Sequence, residues 1–529
     1  MRTLVLSTLI ICGLITITTT SVLAQEDEFI IIMDEDDEEI SSPLPKPFEQ
    51  KVQFRGTLTN DLSLDLVFDD ADERIFRSFH RLFLGTNVDV SPALSVQVSG
   101  RMTYWLWARQ DGVERYEFEP ELRDTYLHWD APEVVNGTVG LQTWSWGVSE
   151  LFPTADSLNP RDLRTGPSSG LETPKVPTFG VTLDRPIGDL LHLEAVWIPF
   201  YTSDKTSVVG TDYGVLGTSS SDGPGAGFSQ SFGSLVEGIQ PGALDDVDAL
   251  TLGLDRPDEG LENSSGGLRL TGSFGSIDAG LSYIYGWDPT PRLLVDPCLP
   301  TTISLLNGEI SPEELDTTAL AGLFLGAENT ILENSEPGIC SAEQLVGNIF
   351  SGELDLFTLL QTERFRQQTI GADLVFPIAD LIGRLETSWS PQRTFYTETL
   401  ESIRKPTIST TAGLEYAYDT TLNVAAEFNH NHILNLDEET KLFLFAQDQL
   451  QTGMILALRF LEYDALEIQM AGLYGITMEE WIFLPSIGYR FFDGYLLQAG
   501  ARIFEGEENS AGALYNNNDE IFILSQWNF

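Results

Sequence analysis

Positive charge is scarce in this 529-residue chain: 29 Lys and Arg stand against 80 Asp and Glu, a formal net charge of −51 at pH 7. That balance excludes nucleic-acid partners and calls for a well-solvated exterior or screening cations. Cysteine is also scarce, with three in all. No P-loop, nucleotide-binding glycine pattern or HExxH motif occurs. Long hydrophobic runs are missing after the N-terminal residues: none reaches the ~18 residues that a transmembrane helix needs. Helix-patterned, Leu/Ala-rich windows are few. These absences leave two classes, a large exported all-β protein or a membrane β-barrel.

The N-terminus reads as an export signal. Arg2 gives a positive start, an apolar run covers residues 4–17, and Val22-Leu23-Ala24 offers the small residues of a cleavage site. Residues 1–24 are therefore expected as a signal peptide. Ile11 is too large at the position before Cys12 for lipoprotein processing. Cleavage leaves Cys298 and Cys340, expected to form one disulfide in an exported chain. Such a bridge closes roughly 40 residues and contributes about 3–4 kcal/mol on the loop-entropy model. Residues 25–49, acidic and then proline-rich, are expected as a periplasmic tail. Its apolar core, residues 29–33, is a segment for docking a partner or entering a pore.

What the chain has in abundance is alternation. Val52, Phe54, Gly56 and Leu58 fall on one face, and Lys51, Gln53, Arg55 and Thr57 on the other. The same period of two runs through residues 93–107, 276–287 and 405–418. One apolar and one polar face at this period is the pattern of a barrel wall. Many stretches reach about ten residues, enough to cross a bilayer at a tilt and longer than strands of soluble sandwiches.

Connection lengths sort by parity. With about 18 strands placed (16 is the alternative), links after even strands are short: Val90 to Pro92, Ala131 to Asn136, Gly188-Asp189, Gly275-Ser276, Ala379-Asp380, Asp419-Thr420, Tyr463-Asp464 and Asp493-Gly494. Every long link follows an odd strand: residues 61–77, 148–176, 202–263, 288–363 and 506–520. A membrane barrel has this segregation, with long loops outside and short turns in the periplasm. Within 288–363, Ser311-Pro312-Glu313-Glu314 starts a helix, read as part of a disulfide-stapled cap. The chain ends in Ile521-Phe522-Ile523-Leu524-Ser525-Gln526-Trp527-Asn528-Phe529. This strand with a terminal aromatic resembles the signal read by barrel-assembly machinery, with Trp527 and Phe529 in an interfacial girdle.

The most distinctive stretch is Gly140-Leu141-Gln142-Thr143-Trp144-Ser145-Trp146-Gly147, continuing to Asn159-Pro160-Arg161-Asp162. Val139 and Leu141 alternate outward, which turns Gln142, Trp144 and Trp146 to the lumen. Asp156, Arg161, Asp162 and Arg164 are placed for local ion pairs in a polar loop that folds inward and narrows the pore. Its indoles then either stack on a sugar or guide an apolar solute, or pack beneath the loop as a buttress. The pattern Gly-x-Gln, Trp-Gly, Asn-Pro-x-Asp, with the preceding Glu121-Leu122-Arg123-Asp124-Thr125-Tyr126-Leu127, resembles an uncharacterised family of proteobacterial outer-membrane barrels. The likeness is confined to this stretch, at Gln142, Trp146, Gly147, Asn159, Pro160 and Asp162. It implies a transport barrel with no reaction assigned.

Wall positions on the lumen parity carry both signs, among them Arg101, Arg269, Arg384 and Arg502 against Asp124, Asp373, Glu386 and Glu427. Cross-strand pairing is expected, because buried charge is costly unpaired. The acidic excess therefore belongs to the loops and tail, and ion selectivity does not follow from it. Asp69, Asp70 and Asp72, and Asp245, Asp246 and Asp248, are candidates for Ca²⁺, but no EF-hand spacing supplies its six to eight oxygens. No other cofactor is expected. Asn429-His430-Asn431-His432 invites comparison with an outer-membrane phospholipase using Ser, His and Asn, yet no partnered Ser pattern appears. Two His at i, i+2 on a strand are also a metal-binding spacing; polar residues at the outer strand end are the plainer expectation.

Together these features predict an all-β transmembrane antiparallel barrel of about 18 strands over residues 50–529, with large loops at 149–176, 202–263 and 288–363. The expected place is a Gram-negative outer membrane, with both termini periplasmic and lipid and lipopolysaccharide as surroundings. The expected role is non-enzymatic passage of small solutes through a lumen lined by Gln142, Trp144, Trp146, Asp156, Asn159, Arg161, Asp162, Arg101 and Asp124. The alternatives are a structural or adhesive barrel with a plugged lumen and, less supported, a hydrolase. The solute and the oligomeric state stay open.

Overall fold

The computed structural model describes residues 51–66, 75–109, 114–131, 134–164, 175–205, 261–288, 292–295, 360–397, 402–418, 421–437, 439–443, 445–460, 465–492, 494–507 and 510–529. The signal peptide, the tail, Cys298, Cys340, the helix start at Ser311 and all six Ca²⁺ candidates lie outside these residues.

The alternating stretches become one closed wall. Its strands are β1 (Val52–Asp65), β2 (Ile75–Ser91), β3 (Leu94–Arg109), β4 in two segments (Glu114–Leu122 and Thr125–Trp129), β5 (Asn136–Gln142), β6 (Thr178–Ile187), β7 (Leu191–Ile198), β8 (Ser265–Phe274) and β9 (Ile277–Trp287). The second half comprises β10 (Arg366–Ile378), β11 (Leu381–Tyr396), β12 (Ser402–Tyr418), β13 (Leu422–Ile433), β14 (Asp448–Phe460), β15 (Leu466–Gly475), β16 (Glu480–Phe492), β17 (Tyr495–Gly506) and β18 (Glu520–Asn528). The sheet has 19 segments; because both parts of β4 pair with β3, these make 18 wall strands. Each strand pairs antiparallel with the next, and β18 closes the ring on β1, from Thr57 opposite Asn528 to Asp65 opposite Glu520. Phe529 extends this seam, donating its N–H to the Gly56 carbonyl (2.9 Å) and accepting the Gly56 N–H (2.7 Å). Closure removes every sheet edge, so the wall leaves no row of unpaired backbone groups facing an apolar medium.

The two faces separate as the sequence pattern predicts. Large apolar side chains such as Phe118, Leu268, Met454, Ile487 and Ile523 are exposed on the outside. Ser, Thr, Asn, Glu and Arg fill the inward positions, many of them buried, among them Ser99, Thr103, Thr411, Asn429 and Arg502. An apolar exterior around a polar interior is the inverse of a soluble protein and matches a bilayer as solvent. No helix among the described residues is long and apolar enough to cross a membrane, which says nothing of crossing by strands. Described helices are single turns in loops, such as Ala511–Leu514.

Many wall charges pair across strands. Glu520 accepts from Arg77 (2.6 Å) and Arg502 (2.7 Å), tying β18 to β2 and β17. Glu467 on β15 meets Arg459 on β14 and Arg490 on β16. Several boundaries differ from the sequence reading. The link expected at 61–77 is shorter, because the ladder continues to Leu64 opposite Phe76, with Ser63 and Arg77 buried inside. Within the expected loop 288–363, Arg292–Val295 and Leu360–Glu363 pair as a separate ribbon.

The break in β4 is a bulge that the alternation did not reveal. From Gly100 to Gln97, β3 advances three residues while its partner advances four, from Leu122 to Tyr126. The extra residue reverses the facing parity. Glu117, Glu119 and Glu121 point inward before the break, and Asp124, Tyr126 and His128 point inward after it.

Candidate functional site

The segment between β5 and β6 does not stay outside the barrel. Its first arm begins where Gln142 ends β5. Gln142 is buried, donating to the Gly180 carbonyl (2.8 Å) and accepting from Thr182 Oγ1 (2.9 Å). Trp144 Nε1 donates to the same Thr182 hydroxyl (2.8 Å), and Trp146 Nε1 donates to Glu194 (3.0 Å). The two indoles, with Leu158, pack on Val196, Ile198 and Ile284 of the wall. At 5% and 2% exposure they offer no face to a solute. Both indoles pack between the segment and the wall.

The wall is shaped to receive this segment. Gly180, Gly267, Gly371 and Gly453 are inward positions on β6, β8, β10 and β14. A Cβ at these positions would lie 2.7 to 2.8 Å from atoms of Trp144, Trp146, Ala155 and Leu151 respectively, except that Gly371 meets the Ser282 hydroxyl at 2.5 Å first. Mid-strand glycine weakens a strand unless another chain approaches closely, and here one does.

Two buried carboxylates hold the far end of the arm. Glu386 on β11 accepts the N–H groups of Val148 (2.7 Å) and Ser149 (2.9 Å) on one oxygen. Its other oxygen accepts those of Thr154 and Ala155 (2.6 Å each) and the Thr154 hydroxyl (3.1 Å). Glu427 on β13 accepts the N–H groups of Glu150 (2.8 Å), Leu151 (3.0 Å) and Phe152 (3.1 Å), plus the Ser149 hydroxyl (2.6 Å). Thr411 on β12 donates to the Phe152 carbonyl (2.9 Å). Charge-assisted bonds of this number offset the desolvation of a buried carboxylate. Gly147 is required at the turn into this cradle: its φ is +106°, and a Cβ would sit 2.5 Å from the Glu386 carboxylate. Strands β11 and β13 stand six and eight places from β5 in a ring of 18, where nine is diametrically opposite.

Asn159 ties the returning arm to the first. Its Oδ1 accepts the Trp144 N–H (2.6 Å), and its Nδ2 donates to the carbonyls of Gln142 and Val176 (3.1 Å each). Asp156 pairs with Lys175 and lies at the limit of reach of the Trp146 N–H (3.5 Å). Arg161 donates to the Asp156 carbonyl (3.1 Å) from its guanidinium and to Asp204 (2.7 Å) from its backbone. Asp162 is gripped by Arg164 (2.8 and 2.9 Å) and stands 3.8 Å from Arg101. Arg101 bonds Glu121 (2.7 Å), while Arg164 and Lys205 reach Glu119 (2.7 and 2.6 Å). Burial opposes the charge on Asp162, but hydrogen bonds from Arg164 and the charges of Arg164, Lys205 and Arg101 more than offset it. They hold the carboxyl below its ordinary range.

Asp124 lies apart from this network. It accepts from the Thr143 hydroxyl (2.8 Å) and, with Arg55, Gln97, Tyr126 and His128, lines a polar cavity of about 600 Å³ toward the short-turn end. Other charged groups face the lumen from beside the segment: Arg384 pairs with both Glu150 and Glu415, and Arg269 with Asp373 (3.3 Å). Thus Gln142, Trp144, Trp146, Asn159 and Asp162 hold the inserted segment in place. In the sequence, Glu386 and Glu427 are visible only as lumen-parity acids, for which cross-strand partners are expected. Apart from the Thr154 and Ser149 hydroxyls, their partners are backbone N–H groups, which carry no side-chain signature.

No family model matches the chain, and no curated protein matches it. Among solved structures, it is similar to OccAB1 of Acinetobacter baumannii at 9% identity and TM-score 0.44, covering 91% of this chain and 96% of that one. It is similar to OmpF of Salmonella typhi, solved with daunomycin, at 8% identity and TM-score 0.40, covering 91% and 98%. It is also similar to the outer membrane channel DcaP of Acinetobacter baumannii, at 10% and 0.37, covering 91% and 97%. At such scores the likeness bears no weight on function, and the resemblance drawn from Gln142 to Asp162 rests on those residues alone.

Proposed function

We propose that this protein is a channel of a Gram-negative outer membrane, passing small polar solutes by diffusion through a lumen narrowed by residues 143–164. The observation that carries this is the double clamp of Glu386 and Glu427 on the backbone of Val148 to Ala155. A wall that only needed filling would bury apolar side chains. This one spends two desolvated carboxylates on fixing the path of a loop, as a pore of set width requires. The charged groups beside the loop carry both signs and pair with one another, Arg384 with Glu150 and Arg269 with Asp373, which suits polar solutes rather than ions of one sign.

In this reading the long loops face outward, both termini are periplasmic, and the apolar outer face of β18, ending at Phe529, is what assembly machinery recognises. Lipid and lipopolysaccharide surround the belt. Purified, folded protein in a planar lipid bilayer tests the proposal. Discrete, ohmic conductance steps are expected. No steps at any voltage, together with no swelling of sugar-loaded liposomes, would instead identify a plugged barrel with a structural or adhesive role.

A further inference from the structure

Among the described residues outside the lumen, one cluster of ligating side chains is not used by the channel. His430 and His432 lie on β13 with their side chains on the outer face, in line with exposed Phe428. Strand pairing sets Asp448, the first residue of β14, directly opposite His432 and leaves His430 on the diagonal. His430 Nε2 is 3.2 Å from Asp448 Oδ1, and His432 Nδ1 meets the same oxygen. One donor atom from each of the three residues falls within 4.8 Å of the others.

We propose that His430, His432 and Asp448 form a binding site for a borderline divalent transition ion of the Zn²⁺ type. Two imidazoles and one carboxylate are the donor set for such an ion, whereas Ca²⁺ and Mg²⁺ require oxygen ligands throughout. Donors about 2.1 Å from a tetrahedral centre stand roughly 3.4 Å apart, so small side-chain rotations bring this trio to coordination distance. The ligands sit on two paired strands, where backbone register fixes their spacing, rather than on loops.

Position supports the assignment. Toward the short-turn end, the outer face of these strands carries Ala426, Phe428, Met454 and Leu456; at the long-loop end His430, His432 and Asp448 share it with Leu450. The trio therefore stands toward the edge of the apolar belt, with its side chains about half exposed. With three protein ligands the fourth coordination position faces outward and takes water or an anionic oxygen.

The test is titration of the folded, full-length protein in detergent with Zn²⁺ by calorimetry, and with Co²⁺ by visible absorption. Wild type is expected to show one saturable site with the spectrum of tetrahedral Co²⁺. His430→Gln/His432→Gln removes that site, and Asp448→Asn weakens it on the order of 100-fold, since even outer-shell partners of a metal carry 10- to 100-fold. Heat-modifiable migration shows that each variant is folded. Zn²⁺ binding of equal strength in wild type and the double His variant would assign the metal to the acidic loops and overturn the proposal. So would absence of any saturable site, leaving a hydrogen-bonded His–Asp cluster alone. Neither result depends on whether the lumen conducts.

Discussion

Removing Glu386 tests how the inserted segment is held. Glu386→Ala deprives the N–H groups of Val148, Ser149, Thr154 and Ala155 of their acceptor. Leaving a buried donor unsatisfied costs roughly 1–3 kcal/mol. Water in the lumen rehydrates part of this set, so the low end applies, about 4 kcal/mol for four groups. At 1.4 kcal/mol per factor of ten, the ratio of docked to undocked segment falls on the order of 10³. Glu427 still binds three N–H groups and the Ser149 hydroxyl, so the single variant should flicker between two conductance levels. Glu386→Ala/Glu427→Ala should stay at the higher one. Single-channel recording in planar bilayers reads both. If the double variant, shown to be folded by heat-modifiable migration, keeps wild-type conductance and noise, the segment does not set the width of the path.

Three further outcomes follow from the same geometry. Gly147→Ala adds backbone strain of about 1–3 kcal/mol and a clash with Glu386; its effect on conductance noise should shrink in a Glu386→Ala background, a coupling that a double-mutant cycle measures. The lowered Asp162 carboxyl stabilises the fold above the ordinary carboxylate range, and this contribution is lost as pH falls through its lowered value. The stability difference between wild type and Asp162→Asn should therefore persist down to about pH 4 in denaturant titrations and vanish only below it. Glu520→Ala removes the buried carboxylate that both Arg77 and Arg502 contact beside the seam; breaking a buried ion pair costs about 3–5 kcal/mol, expected as a lower unfolding temperature with unchanged conductance at room temperature.

The wall was nearly all legible in the sequence, because period-two alternation and the segregation of link lengths are both imposed by a bilayer around a closed sheet. Strand ends were less so: Asp61 and Arg77 look like loop residues, and only their partners Arg502 and Glu520 reveal them as inward wall positions. The bulge at Arg123 and Asp124 was hidden because a parity change looks like a strand end. Within the site, Gln142, Trp146, Gly147 and Asn159 stood out as a motif; all four brace the loop, and Gln142 also borders the polar cavity beside Asp124. Mid-strand Gly180, Gly267, Gly371 and Gly453 were the available sign that another chain passes close by. Asp448 joins His430 and His432 only through strand register, which no local pattern shows.

The clamps also order events in time. Glu386 and Glu427 lie 231 to 278 residues beyond the groups they bind. Contacts of such separation form late, after shorter-range pairing has brought their partners near. The inserted segment cannot dock fully before β11 to β13 have joined the growing sheet, so its path is settled only in the later half of assembly. If docking also lags closure of the β18–β1 seam, a newly closed barrel is wider than a finished one. Slow docking would then register as a transient leak across the membrane, while the wall itself is already sound.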